Sequence, residues 1–536
     1  MSIYDQDADK AQQQLDKISP SMCYAKWSQV SMHLTNGMTH SCYHPPTHKV
    51  PLEELEKNIT ALHNTEEKKE QRRLMLKGER PEGCSYCWNI EDQGDRSDRI
   101  YRSGEYWAQE SRQDILDAGA SGNINPRYVE VNFNQACNFK CSYCSPHLST
   151  AWQEEIDEHG EYPTVAPHNN IDSLRNKNLM PLKIAQDENP YVNAFWKWWP
   201  DMYKTLRVFR MTGGEPLMDK NTFKVMEYVL DNPNKDLELS ITTNMCPVND
   251  VLFERFIGLL KQLDNVEHSA EVYVPDPYDG TDWQTWDHYI IGADAKRYHD
   301  SELPSIEREE IKQTFLQVGQ CEEQGDNSYT YEYKYNDKAY HNFSVFVSLD
   351  GWGQQAEYIR HGMDFDKVWN NVNRFLDETH HTSINFINTF NCLSLPSLRE
   401  FLEGVLELRK KWNKSVQYAL GWETPEQRIW FDIPLLRNPA WQSIQILPDD
   451  YQDYMLEAID FMEQNKANEE FVDYEGFKDF EIEKVKRNLE HMKKELSRDK
   501  LLRDRADFSK FFNEHDRRRG TDFLATFPEM SQFWFM

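Results

Sequence analysis

Cys137, Cys141 and Cys144 stand in the run Cys-Asn-Phe-Lys-Cys-Ser-Tyr-Cys. This C-x3-C-x2-C spacing lets three thiolates bind three irons of one 4Fe–4S cluster. The fourth iron then has no protein ligand and is open to a substrate or cofactor, which a closed four-cysteine site does not allow. The bland alternative is a three-cysteine fragment of a zinc site. A second set lies upstream, Cys23 and Cys42 followed by the C-x2-C pair Cys84 and Cys87. Four cysteines of this kind suit an iron–sulfur cluster or zinc. Cys246 reads as a small buried hydrophobe before it reads as a thiol donor or iron ligand. Cys321 and Cys392 suggest no function.

The surrounding pattern supplies elements to position these thiols. Residues 128–133 (Tyr-Val-Glu-Val-Asn-Phe) alternate apolar and polar side chains, as a half-buried strand does. The cysteines follow at once, in the loop leaving the strand's C-terminal end, where parallel β/α barrels build their chemistry. A second strand, from Leu206, runs into Gly213-Gly214-Glu215-Pro216, whose glycines let a backbone approach a ligand closely. Further strands read at 237–244, 343–351, 383–388 and 429–435, with amphipathic helices at 219–231, 250–262, 364–378 and 395–412. That alternation predicts an α/β fold, a partial parallel (β/α)6 barrel. Residues 52–76 read as one charged amphipathic helix on Leu52, Leu55, Ile59 and Leu62. The crossover 145–205 is long and rich in aromatics (Phe195, Trp196, Trp198, Trp199). The insertion 264–342 carries Tyr329, Tyr331, Tyr333 and Tyr335 at period two, so one strand would put all four on one face, packing the insertion before lining a cleft. Beyond 447 the chain reads as helical and charged, with Arg517, Arg518 and Arg519 a solvated run before an anion contact.

Over about residues 125–440 these motifs resemble the radical S-adenosylmethionine (SAM) superfamily: the cysteine triad, Gly-Gly-Glu-Pro, a third strand ending in Thr243-Asn244, Ser348-Leu349-Asp350-Gly351, and the stretch 357–362 containing Arg360. The resemblance implies a 4Fe–4S cluster on Cys137, Cys141 and Cys144, whose open iron chelates SAM and splits it into methionine and a 5′-deoxyadenosyl radical. It implies SAM contacts from Gly213, Gly214, Glu215, Pro216, Asn244, Ser348, Asp350 and Arg360, and an electron donor such as flavodoxin or ferredoxin. The spacing Cys23-x13-Gly37-x4-Cys42 is similar to the opening of SPASM and twitch modules, which hold auxiliary 4Fe–4S clusters. The longer SPASM pattern has another cysteine where Gln93 stands, so one twitch-like cluster on Cys23, Cys42, Cys84 and Cys87 is implied, with zinc the alternative. Such modules usually follow the barrel, whereas this set precedes it. Uncharacterised phage-type twitch proteins share the layout. Members of the superfamily modify peptides, sugars and nucleotides, so a peptide and a small metabolite both stand as substrates. The non-enzyme alternative is an iron–sulfur or zinc protein that keeps the architecture without turnover.

Composition bounds these readings. The 536 residues carry a net charge of −30, which opposes binding to nucleic acid. With 13% aromatic residues the chain has the means to build a core and is not of disordered type. No apolar run reaches membrane-spanning length, and the first ten residues do not resemble a signal peptide. Metal-type cysteine spacings point to a reducing cytoplasm rather than disulfides. The expected organisation is a twitch-like module at 1–115, a barrel at 120–446 with insertions 145–205 and 264–342, and a charged helical extension at 447–536.

Overall fold

The computed structural model describes residues 3–264, 342–379, 382–412, 427–468 and 475–536, save position 235, and strands within 265–341 and 413–426. The main sheet has nine strands: β1 (Gln29–His33), β2 (Met38–His40), β3 (His48–Lys49), β4 (Tyr128–Asn132), β5 (Val208–Thr212), β6 (Glu238–Thr243), β7 (Asn342–Ser348), β8 (Ser383–Ile387) and β9 (Ile429–Asp432). Their order is β9-β8-β7-β6-β5-β4-β1-β2-β3. From β4 to β9 each strand lies parallel to its successor. Parallel neighbours need crossovers, and helices Lys220–Asp231, Asp250–Asp264, Phe365–Glu378 and Leu398–Trp412 take them. The six predicted strands and four predicted helices therefore all form, in a mixed α/β fold with a parallel-rich sheet. β1 joins parallel to β4, and β2 and β3 continue antiparallel, so the segment carrying Cys23 and Cys42 extends the same sheet.

Alternation gives this sheet two unlike faces. One carries Val129, Val131, Phe209, Met211, Leu239, Ile241, Val345, Val347, Ile384 and Phe386, all buried. On the other, Glu130, Arg210, Ser240, Ser344 and Ser383 fall in register across five strands. Most of that polar row keeps partial access to solvent.

Residues 52–76 are not one helix. Leu52–Lys57 stops at Asn58, whose extended backbone and side chain cap the short turn Ile59–Leu62. Thr65 then caps a new helix, Glu66–Leu76. Asn and Thr compete for backbone donors, and here they end one helix and start another. In the long crossover, Asn189 and Pro190 start the helix Pro190–Tyr203, which buries Phe195, Trp198 and Trp199. Within the insertion, Ser328–Asp337 is the strand that the tyrosine alternation predicts, paired antiparallel along its length with Val266–Pro275. The side chains of that strand lie outside the described residues. The C-terminal extension is helical as expected, at Gln452–Gln464, Asp479–Met492 and Arg498–Arg519. It is fastened to the helix Leu398–Trp412 by a buried bidentate ion pair, Arg409 to Glu481 at 2.6 and 3.1 Å, and Arg409 also donates to Ile429 O on β9 at 3.1 Å.

Candidate functional site

The cysteine loop leaves the C-terminal end of β4 and lies directly against the glycine turn that leaves β5. Asn134 O accepts from Gly214 N at 3.3 Å, and Ala136 O accepts from Glu215 N at 2.6 Å. A Cβ at Gly214 would fall 2.3 Å from Ala136 O, and Gly213 has φ +134° with Asn134 O 2.8 Å from its Cβ position. At Gly214 the obstructing atoms are all backbone, so no side chain can swing aside. Gly214→Ala is expected to fold, displace the cysteine loop and weaken SAM binding at least about tenfold, read by calorimetry on cluster-loaded protein.

Within the loop, Phe139 N donates to Cys137 Sγ at 3.5 Å and Cys144 N to Cys141 O at 2.9 Å. Lys140–Cys141 pairs antiparallel with Arg360–His361. Burial pushes the Cys137 thiol up to about 12, and the neighbouring Cys141 adds to it. Cys144 is raised by burial and then by both other cysteines. The three thiols thus sense one another, and as free thiolates they would repel. Iron ligation relieves that conflict, so the donor set fits the cluster.

Arg360 is buried, and each nitrogen of its guanidinium meets a partner. Nε lies 2.7 Å from Asp350 Oδ2, Nη1 donates to Cys141 Sγ at 3.5 Å, and Nη2 donates to the Tyr143 hydroxyl at 2.6 Å. The Tyr143 hydroxyl in turn donates to Asp350 Oδ2 at 2.6 Å, and Asp350 Oδ1 accepts from Thr389 N at 2.7 Å. Asp350 is wholly buried, so its carboxylate is spent within the protein. Glu215 is likewise enclosed, accepting from Thr243 Oγ1, Asn244 N and Leu217 N at 2.7, 2.6 and 2.9 Å. Burial raises its carboxyl to about 7 against these hydrogen bonds. Pro216 is buried in the turn that follows. Asn244 Nδ2 donates to Asn138 Oδ1 at 3.0 Å, joining the end of β6 to the cysteine loop. Ser348 ends β7 on the accessible polar face. Cys246 is buried, as the hydrophobe reading expects, although its carbonyl accepts from Asn138 Nδ2 at 2.8 Å.

Tyr143 and the arginines at the end of helix Arg498–Arg519 were not expected here. Arg518 and Arg519 are buried and not solvated; only Arg517 is exposed. Arg519 Nη1 donates to Lys140 O at 2.7 Å, next to Cys141, and Arg519 pairs with Glu155 at 3.0 Å. A charge run hides such burial, because its solvation is assumed from composition alone. Burial alone would raise the Glu155 carboxyl, but hydrogen bonds from Arg519, Lys140 and Tyr162 bring it down to about 2. A depressed folded-state pKa gives stability that is full above the unfolded value and is lost as pH falls towards 2. Glu155→Gln should therefore lower stability at neutral pH and flatten its decline between about pH 5 and 2, measured by urea denaturation across pH.

Upstream, Cys23, Cys42, Cys84 and Cys87 line one cavity with Lys26, Asp98, Arg99 and Arg102. Burial raises Cys42 to about 11 and Cys87 to about 12, with Cys23 adding to both. Nearby Lys68 and Arg72 are buried and hydrogen-bond to neutral partners, His63 at 2.7 Å and Asn64 at 3.0 Å. Of the cations that line the cavity, Arg99 pairs with Glu91 at 2.8 Å and Arg102 with Glu105 at 2.6 Å. Among the described residues no three His, Cys, Asp or Glu side chains are gathered to hold a metal ion. No described helix is long and apolar enough to cross a membrane.

No protein-family model matches the chain. Over 117 residues it is 26% identical to the GTP 3',8-cyclase of Sulfurimonas denitrificans, covering 22% of this chain and 27% of that protein. Over 158 residues it is 28% identical to the GTP 3',8-cyclase of Desulforamulus reducens, covering 29% of this chain and 38% of that protein. The chain thus spans well under half the length of the curated relatives it matches. A solved structure, Streptococcus suis SuiB bound to S-adenosylmethionine, aligns over 84% of this chain and 71% of its own, at 11% identity and TM-score 0.31.

Proposed function

We propose that the chain is a radical SAM enzyme, a reading supported by its similarity to GTP 3',8-cyclases, and that it cleaves SAM reductively and abstracts hydrogen from a peptide or small-metabolite substrate. The observation that carries this reading is the backbone contact between the three-cysteine loop and the Gly213-Gly214 turn, with both at the C-terminal ends of adjacent parallel strands. When bound, the cluster and SAM supply the electron transfer and the 5′-deoxyadenosyl radical.

The chain's own residues hold and aim. Cys137, Cys141 and Cys144 bind the cluster, and Gly213 and Gly214 let the turn that would meet the methionine end of SAM pack against the cysteine loop. Ser348 and Asn244 offer polar contacts beside it. Arg360 braces the Cys141 sulfur, with Asp350 and Tyr143 fixing the guanidinium. The strands from β4 to β9 form a partial barrel whose polar face receives substrate. Cys23, Cys42, Cys84 and Cys87 hold an auxiliary 4Fe–4S cluster. Four thiols around one cavity support this reading, with zinc the alternative occupant. Residues 1–115 form the auxiliary module and 447–536 an extension that clasps the cysteine loop. The protein works in the cytoplasm with a flavodoxin- or ferredoxin-type donor.

Reduced, cluster-loaded protein given SAM should release 5′-deoxyadenosine, slowly if no substrate is present. A fully loaded and reduced preparation that releases none would remove the enzyme reading.

A further inference from the structure

Beyond the C-terminal end of β9 lies a pocket of about 640 Å³, formed by the loop 433–445 and the helices Asp479–Met492 and Arg498–Arg519. Its walls carry Arg437, Lys484, Arg487, His491 and Lys500, and no carboxylate. That is notable in a chain with 90 acidic residues against 60 basic ones. Lys484 pairs with Asp432 and Lys500 with Asp504, both outside the lining. Arg437 and Arg487 are exposed and neither makes an ion pair among the described residues, although Asp98 lies within electrostatic reach of Arg437. Between the cations the wall is apolar, from Ile433 through Leu436 to Ala440.

We propose that this pocket is a recognition subsite for an acidic polypeptide segment that also carries apolar side chains. The cations are carried on a loop and two helices that border a cavity of about 640 Å³. Spread charge meets several carboxylates in turn, whereas a phosphate site draws its donors together. The apolar wall between them takes the intervening side chains, and surrounding negative charge repels acidic chains from the rest of the surface.

The pocket is also tied to the cysteine loop. Ser142, next to Cys141, donates to Gln442 Oε1 at 2.9 Å, from the same loop that forms the pocket wall. A segment held there is anchored beside the reacting end of the sheet. This favours a peptide over a small metabolite as substrate, and in that respect it rests on the proposed reaction. The binding itself does not.

The test uses full-length protein and a short fluorescein-labelled peptide alternating glutamate with leucine, followed by anisotropy without SAM. Binding should be saturable, weaken steeply as salt rises, and fall at least roughly tenfold in Arg437→Glu/Arg487→Glu. Both positions are exposed, and circular dichroism checks the fold; Arg487→Gln serves if the double variant does not fold. A peptide with lysine in place of glutamate should not bind. Absence of binding to the parent protein, or equal affinity in the charge-reversed variant, overturns the proposal. Displacement of the peptide by inorganic phosphate at equal concentration overturns the peptide assignment in favour of a phosphate site. Release of 5′-deoxyadenosine is measured separately, so its failure would remove the reaction and leave the pocket standing.

Discussion

Replacing Cys137, Cys141 and Cys144 together by alanine should lower the iron of anaerobically reconstituted protein from about eight per chain to about four and abolish release of 5′-deoxyadenosine. The three thiols share one loop, and Cys141 raises both Cys137 and Cys144. Four irons left in the variant would assign a second cluster to the cavity of Cys23, Cys42, Cys84 and Cys87, which shares no cysteine with the loop. Iron and labile sulfide assays decide the matter. About four irons falling to none would make the upstream cysteines a zinc or structural site. Unchanged iron in the variant would take the cluster away from the triad altogether.

The largest loss of stability is expected from Arg409→Met. Arg409 and Glu481 are both buried, and the guanidinium also donates to Ile429 O at 3.1 Å on β9. Removing the cation strands a carboxylate away from water, at a cost of about 3–5 kcal/mol. The double change Arg409→Met/Glu481→Leu should recover most of that loss, because an apolar pair of similar volume needs no solvation. Urea denaturation measures both. A single variant within about 1 kcal/mol of the parent protein would show that the C-terminal helices are held by other contacts.

Much of the sheet was legible because its signals are local. Alternation marks a strand whatever it packs against, and the triad and glycine turn each lie within a few residues. The partners of Arg360 were not legible. Its contacts to Cys141 and Tyr143 span more than two hundred positions, and no local pattern announces them. Tyr143 itself lies inside the C-x2-C step, where the cysteines draw attention from it. The break in 52–76 was signalled by Asn58 and Thr65, but the leucine spacing outweighed them. Arg518 and Arg519 were misread because solvation of a charge run depends on what packs over it, and that is a property of the folded chain.

The contact of Arg519 with Lys140 O joins positions 379 residues apart. A ribosome delivers the cysteine loop long before it delivers its clasp. During synthesis the three thiols therefore emerge on a loop held only by its neighbours in the sheet. The loop closes fully once residue 519 is free to dock.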